Sequence, residues 1–416
     1  MVSEIRRHRR RPLLRPILTL ASFAGALLLG APSALAQSGG ASDAPTAGWQ
    51  NGFFLQSADG ANRLQLGLLT QFDGRFAVDD EADALTDSFV IRRLRPSLRG
   101  RIGDRFEFFL SPDFAGGTLV VQDAYFDTRF SPAFRVRVGK GKTPFGYERL
   151  QSASTMLFIE RALPTAVAPN RDLGIQLLGD VANNKLSYAV GIFNGTRDGA
   201  NVDVDNNDGK DLIGRVVVRP VDGLTVALAG STGNHRGPAS LPSYRTTVFQ
   251  QTFFSYDGAS ADGRLNRYSP YLSYYSGPFG AFVEYVRSSL PVDRGELRET
   301  IGHQAWQAAA SWVLTGERAT ENGVVPERPF SFSSGGGKGA LQLALRYQEL
   351  SVDNDAFALG LASASSNRKA EAWSVGLNWY LNRNLLYRLH YERTSFEDGS
   401  ARPTENTLAF RSQINF

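Results

Sequence analysis

The last ten residues, Thr407 to Phe416, alternate between apolar and polar side chains, and the chain stops on an aromatic. Leu408, Phe410, Ile414 and Phe416 fall on one face of an extended segment; Ala409, Arg411, Gln413 and Asn415 fall on the other. Successive strand residues point to opposite sides, so the segment suits a wall with lipid outside and water inside, as in a transmembrane β-barrel. An edge strand of a soluble sandwich can show the same alternation, and the rest of the chain decides between the two. In the barrel reading the terminal Phe resembles the signal read by barrel-assembly machinery, which makes that machinery and outer-membrane lipid expected partners.

The other end is a leader. Residues 1–36 carry Arg6, Arg7, Arg9, Arg10, Arg11 and Arg15, an apolar core over 17–29, and Ala34-Leu35-Ala36. That order is a secretory signal peptide cleaved near Ala36. Its six arginines and Glu4 account for the apparent basicity: without them the formal charge falls from +4 to −1. Any preference for anions must then come from where charges sit. The chain has no cysteine, which excludes disulfides, thiolate metal sites and cysteine catalysis. No apolar run of about 18 residues follows the leader, and mean hydropathy is −0.23, so helical spans are excluded. A barrel wall needs no such run.

Residues 37–61 read as an N-terminal linker and 62–416 as the barrel. Strands are expected near 62–78, 88–102, 105–114, 120–130, 134–140, 171–181, 185–194, 212–220, 224–232, 264–276, 279–290, 299–316, 339–350, 368–381, 385–396 and 406–416, about sixteen antiparallel strands in an all-β fold. Tight turns such as Gly103-Asp104, Ala182-Asn183-Asn184 and Asn382-Arg383-Asn384 alternate with longer connections, including 141–170, 195–211, 233–263 and 291–298. Short periplasmic turns alternating with long outer loops are a barrel pattern. The connection 317–338 breaks it, being long where parity expects a tight turn. Trp379, Tyr380 and Tyr387 beside the Asn382–Asn384 turn read as a periplasmic aromatic belt.

Parity also assigns the lumen. In 88–102, Leu94, Pro96, Leu98 and Ile102 face lipid while Arg93, Arg95, Ser97, Arg99 and Arg101 face water. The same exercise turns inward Arg63, Arg75, Arg105, Arg129, Arg135, Arg137, Arg215, Arg219, Arg267, Arg346, Arg388 and Arg411. The inward acids are fewer: Asp73, Glu107, Asp123, Asp127, Asp172, Glu284 and Glu392. Such arginines either brace the wall against those acids or present guanidinium to phosphate and carboxylate oxygens. Arg93 to Arg101 have no acid among the inward positions of their own strand, which favours the second role. Segment 141–170 is long, and its apolar patch (Met156, Leu157, Phe158, Ile159) favours folding against the lumen, an outside cap with solvated basic residues being the alternative. Folded into the lumen, it carries Lys140, Lys142, Arg149 and Arg161 toward the narrowest zone.

The run Gly52-Phe53 to Arg63-Leu64, Arg92-Arg93-x-Arg95, Asp123-Ala124-Tyr125-Phe126, Gly139-Lys140-Gly141-Lys142-Thr143-Pro144-Phe145-Gly146 and Glu160-Arg161 resembles the phosphate-selective porin O and P family. The resemblance covers nearly all of the mature chain. It implies a sixteen-stranded, homotrimeric outer-membrane porin whose infolded third loop narrows an arginine- and lysine-lined pore, often for phosphate or polyphosphate. On matching positions it implies that Arg92 and Arg93 are the arginine pair, Lys142 the constriction lysine and Asp123 the acid that tempers the field. The chain departs in having six lysines in all, so passive anion passage is a firmer expectation than phosphate selectivity.

Other chemistry finds little support. Asp203 to Gly209 resembles the start of a calcium loop, but its glycine is one place late and Gly214 stands where the closing Glu belongs. His235, His303 and His390 lack the setting of a hydrolase triad, and no nucleotide-binding or nucleic-acid motif occurs. The expected protein is a cofactor-free, non-enzymatic channel for inorganic phosphate or other small anions, with no nucleic-acid partner. A low-selectivity or carboxylate/sugar porin is the alternative, and a barrel enzyme or plugged structural barrel the readings from other classes.

Overall fold

The chain was described in a computed structural model, which covers residues 44–80, 85–201, 205 and 208–416. The strands are β1 (Thr46–Trp49), β2 (Phe53–Gln56), β3 (Arg63–Ala77), β4 (Ser88–Ile102), β5 (Phe106–Asp113), β6 (Val120–Ser131), β7 (Phe134–Lys142), β8 (Arg171–Val181), β9 (Leu186–Phe193), β10 (Asp211–Val218), β11 (Leu224–Gly237), β12 (Tyr244–Arg245), β13 (Thr252–Phe254), β14 (Ser260–Ser276), β15 (Phe279–Arg294), β16 (Leu297–Val313), β17 (Ala340–Ser351), β18 (Asn367–Tyr380), β19 (Leu385–Gly399) and β20 (Glu405–Asn415). Sixteen of them, β3–β11 and β14–β20, form an antiparallel wall, and β20 closes it on β3. Closure removes the open edge that a sheet of this size would otherwise present. The signal peptide lies outside the described residues, as do 203, 204, 206 and 207 of the acidic loop.

Alternation drives the wall. Along β18, Trp373, Val375 and Leu377 are exposed while Ser374 and Asn378 are buried, so the apolar face looks outward. The lipid face repeats at Ile91, Ile192, Leu228, Leu345, Leu389 and Leu408. The expected tight turns form; at Gly223, with φ 79°, an added Cβ would lie 2.1 Å from the Tyr275 carbonyl oxygen, so the turn requires glycine.

Three expectations change. Trp49 and Phe53, rings 4.8 Å apart, close a β1–β2 hairpin inside the stretch read as a linker. β2 pairs with Arg63–Leu66 of β3, next to where Phe416 pairs with Leu68 through both its N–H and its C=O. The expected connection 291–298 shrinks to a two-residue turn, because Leu290 and Val292 continue the inward alternation of β15. Tyr380 points inward, buried against Val313, Ala319, Val324, Ala340 and Leu386, whereas Trp379 and Tyr387 face out with rings 6.2 Å apart.

The lumen is filled along one side. From the end of the long loops, 143–170 and 238–259 fold inward: Phe145, Leu163, Val167, Tyr244, Phe253 and Phe254 join inward Val286, Ile301 and Leu350 in one apolar cluster. From the opposite end Ala319 and Val324, in the connection 317–338, pack on the inner faces of β16–β19. Water space is thereby displaced toward β4–β10.

Candidate functional site

The arginine strand carries an irregularity that strict parity misses. Gln71 of β3 pairs with Arg93, but the next residue, Phe72, pairs with Ile91. Arg92 is the extra residue of a β-bulge, which re-aims a side chain, and both members of the pair reach Glu160 of the infolded segment. Arg92 donates to its two oxygens at 2.5 and 3.1 Å. Arg93 lies 3.8 Å from it, Arg75 3.3 Å and Arg411 3.6 Å. Burial works to raise the Glu160 pKa, but Arg92, Arg93 and Arg411 hold it well below the usual carboxylate range. Glu160 is thus a fixed anion clipping the segment to the wall.

Other wall arginines hold the same segment through its backbone. Arg388 donates to Met156 C=O at 2.5 Å, Arg411 to Ile159 C=O at 2.6 Å and Arg346 to Glu160 C=O at 3.0 Å. His390 accepts from Ile159 N–H at 3.1 Å on Nδ1 and meets Asn378 Oδ1 at 3.0 Å on Nε2, so both ring nitrogens are committed to structure. Glu284 accepts from the Tyr147 and Glu148 N–H groups.

Two cavities of about 530 Å³ each adjoin the segment. The upper is lined by Arg92, Arg93, Arg95, Arg149, Arg161, Arg171, Arg197 and Arg245, with Glu160 and Asp198 as its acids. The lower is lined by Arg95, Arg99, Arg137, Lys142, Arg171 and Arg215, with Asp123 as its only acidic side chain among the described residues. Arg95 and Arg171 line both, so the two chambers meet between them.

The cations fall into two groups. Arg95 is paired with Asp113 at 2.7 Å, Arg171 with Asp123 at 3.1 Å, and Arg137 with Asp127 at 2.7 Å; Arg135 reaches the same Asp127 at 3.7 Å. Three others are held by neutral carbonyls. Lys142 donates to Leu150 and Gln151 C=O at 3.1 and 2.6 Å, Arg161 to Glu148 and Gln151 C=O at 3.0 and 2.7 Å, and Arg149 to Thr165 C=O. Among the described residues none of these three has a carboxylate within 4 Å, and neither does Arg99, whose guanidinium lies 5.1 Å from the Phe109 ring centre. Carbonyl dipoles fix such cations without cancelling their charge.

Of the residues expected at the site, Arg92, Arg93, Arg95, Arg99, Asp123, Arg137, Lys142 and Arg161 line the chambers. Arg135 and Lys140 do not; Lys140 is buried and pairs in register with Ala124 and Leu173. Sequence reasoning missed Asp113, Arg171 and the clip formed by Glu160. The acids absent from β4 come instead from β5 and from the infolded segment. Two consecutive arginines within an alternating strand were the available signal of a bulge.

Among the described residues no group of three His, Cys, Asp or Glu side chains is arranged to hold a metal ion.

The model of the family described as phosphate-selective porin O and P matches residues 64–416. No curated protein shows significant sequence similarity to the chain. Among solved structures, the outer-membrane channel DcaP of Acinetobacter baumannii is similar at 13% identity and TM-score 0.56, covering 87% of this chain and 99% of its own. An anion-selective porin from Comamonas acidovorans is similar at 12% identity and TM-score 0.54, with 85% and 100% covered. A trimer form of OmpT from Vibrio cholerae gives 11% identity and TM-score 0.55, with 86% and 100% covered. At these identities the structures bear on the fold alone.

Proposed function

The chain belongs to the phosphate-selective porin O and P family, a non-enzymatic outer-membrane porin, and from that premise we propose that it passes small anions, inorganic phosphate first among them, through a constriction built by 143–170. The observation that carries the reading is the trio Lys142, Arg149 and Arg161, held by backbone carbonyls beside Arg95 and Arg171. Charges of one sign in a narrow passage with low-dielectric walls focus the field and raise local counter-ion concentration. Guanidinium offers a planar fork to phosphate or carboxylate oxygens and keeps its charge throughout the physiological range. Arg92 and Arg93, tied to Glu160, secure the loop more than they attract solute.

The ion pairs Arg95–Asp113 and Arg171–Asp123 where the chambers meet favour a second reading, weak selectivity with monovalent carboxylates admitted as readily as phosphate. Planar-bilayer recording with chloride, phosphate and acetate gradients tests both. The first requires anion preference and phosphate block of chloride current; the second requires anion preference without block. A homotrimer exported by a signal peptide over 1–36 completes the proposal, with cross-linking and N-terminal sequencing of the mature protein as its checks.

A further inference from the structure

The second half of the connection 317–338 leaves the lumen and folds over the outside of the rim. Phe330 N–H donates to Leu381 C=O, and the Phe330 ring packs edge-on against Trp379 with centroids 5.0 Å apart. Trp379 is on the outward face of β18 and donates its indole N–H to Lys338 C=O at 2.9 Å. The excursion is built rather than loose. Ser331 N–H donates to Gly337 C=O, Gly336 N–H to Ser333 C=O, and the Arg328 guanidinium to Gly335 C=O at 2.7 Å. At its tip Phe332 is 96% exposed, its ring 4.8 Å from that of Phe330.

A hydrogen-bonded hairpin that presents an almost fully exposed phenyl ring needs an occupant for that ring. We propose that 328–338 is a membrane-interface anchor, with Phe332 inserted among the phospholipids of the periplasmic leaflet. Two observations favour lipid. The ring extends an outward aromatic row, Phe330, Trp379, Tyr387 and Phe410, whose neighbours are 5.0, 6.2 and 5.9 Å apart, and barrels carry such girdles at the membrane interface. Arg328 and Lys338, both exposed, flank the tip, where long cationic side chains reach phosphate headgroups while their stems stay apolar. This also gives the connection a reason for its length: one half fills the lumen and the other grips the rim. The inference holds whichever solute the pore takes.

The chain's lack of cysteine makes the test direct. Phe332→Cys, labelled with an environment-sensitive fluorophore, is reconstituted as the full-length oligomer in phosphatidylethanolamine/phosphatidylglycerol vesicles. Doxyl groups near the headgroup are expected to remove most of the emission and aqueous iodide little of it, with the opposite pattern for a label at Asn183 in a periplasmic turn. Unlabelled Phe332→Trp should give emission increments quenched the same way. Iodide quenching at 332 equal to that at 183 would overturn the proposal. Protection from both quenchers would also overturn it, assigning the ring to a second copy of the chain.

Discussion

Neutralising Lys142 separates a held, uncancelled charge from the many arginines that are paired. Its ammonium lines the lower chamber, donates only to Leu150 and Gln151 C=O, and has no carboxylate within 4 Å among the described residues. A unit charge about 5 Å from a passing ion contributes roughly 1 kcal/mol at the dielectric of water and roughly 3 kcal/mol at an effective value of 20. The chamber has room for water, which puts the expected effect near the lower figure, about fivefold in the anion-to-cation permeability ratio. Lys142→Gln keeps an N–H donor for the two carbonyls, so the segment should stay in place. The comparison is the double variant Arg137→Gln/Asp127→Asn, which removes a cation and an anion 2.7 Å apart and leaves the net charge unchanged. Reversal potentials in a KCl gradient across a planar bilayer read both. Lys142→Gln should shift toward cation preference, with the double variant within about twofold of wild type, an ordering that follows from net charge. If the two shift equally, or only the double variant shifts, uncancelled charge at the constriction is not what selects ions.

Deleting Phe416 removes both hydrogen bonds to Leu68 and the ring beside Trp49 and Phe53. It should lower the yield of heat-modifiable barrel with little change in the conductance of the channels that form; full yield would count against a closing role. Cysteines replacing Arg92, Arg95 and Arg99 should react with a water-soluble thiol reagent while those replacing Leu94 and Leu98 should not, because arginine at the midplane of a lipid face costs about 2–4 kcal/mol. Reaction at 94 and 98 alone would invert the register. Glu160→Gln leaves buried guanidiniums without their anion, at a cost on the order of 3 kcal/mol, and should increase current noise as the segment loosens. Because the folded-state pKa of Glu160 is lowered, its stabilisation is complete above an ordinary carboxyl pKa of about 4.3 and is lost as pH falls further. Wild-type thermal stability should therefore decline more steeply in acid than that of Glu160→Gln; parallel declines would deny Glu160 its part.

The wall was legible because one physical constraint, lipid outside and water inside, is written into every second residue. Ser88–Ile102 and Arg171–Val181 could be bounded to the residue. Alternation failed where the constraint was absent or locally broken. Residues 46–56 lie where the wall ends: β2 pairs with β3, β1 folds back on β2, and Trp49 and Phe53 meet Phe416, a contact between distant parts of the chain. Parity could not turn Arg92 inward, because a bulge shifts phase by one residue, and only the doubled arginine hinted at it.

The pairing of cations was the least legible, since it is decided across the lumen. Arg346, Arg388 and Arg411 share parity with Arg93, Arg95 and Arg99, yet the first three end on the carbonyls of 156–160 while the last three line the chambers, Arg93 reaching Glu160 from there. Which fate an inward arginine meets depends on where 143–170 comes to rest, and that segment has no period of its own. Its position is set by complementary groups on strands far apart in sequence, Glu160 against Arg75, Arg92 and Arg411, and Ile159 N–H against His390. Among the described residues the same clasp leaves Lys142, Arg149 and Arg161 with carbonyl partners only, so the charge these three present beside the chambers is a consequence of how the loop is anchored.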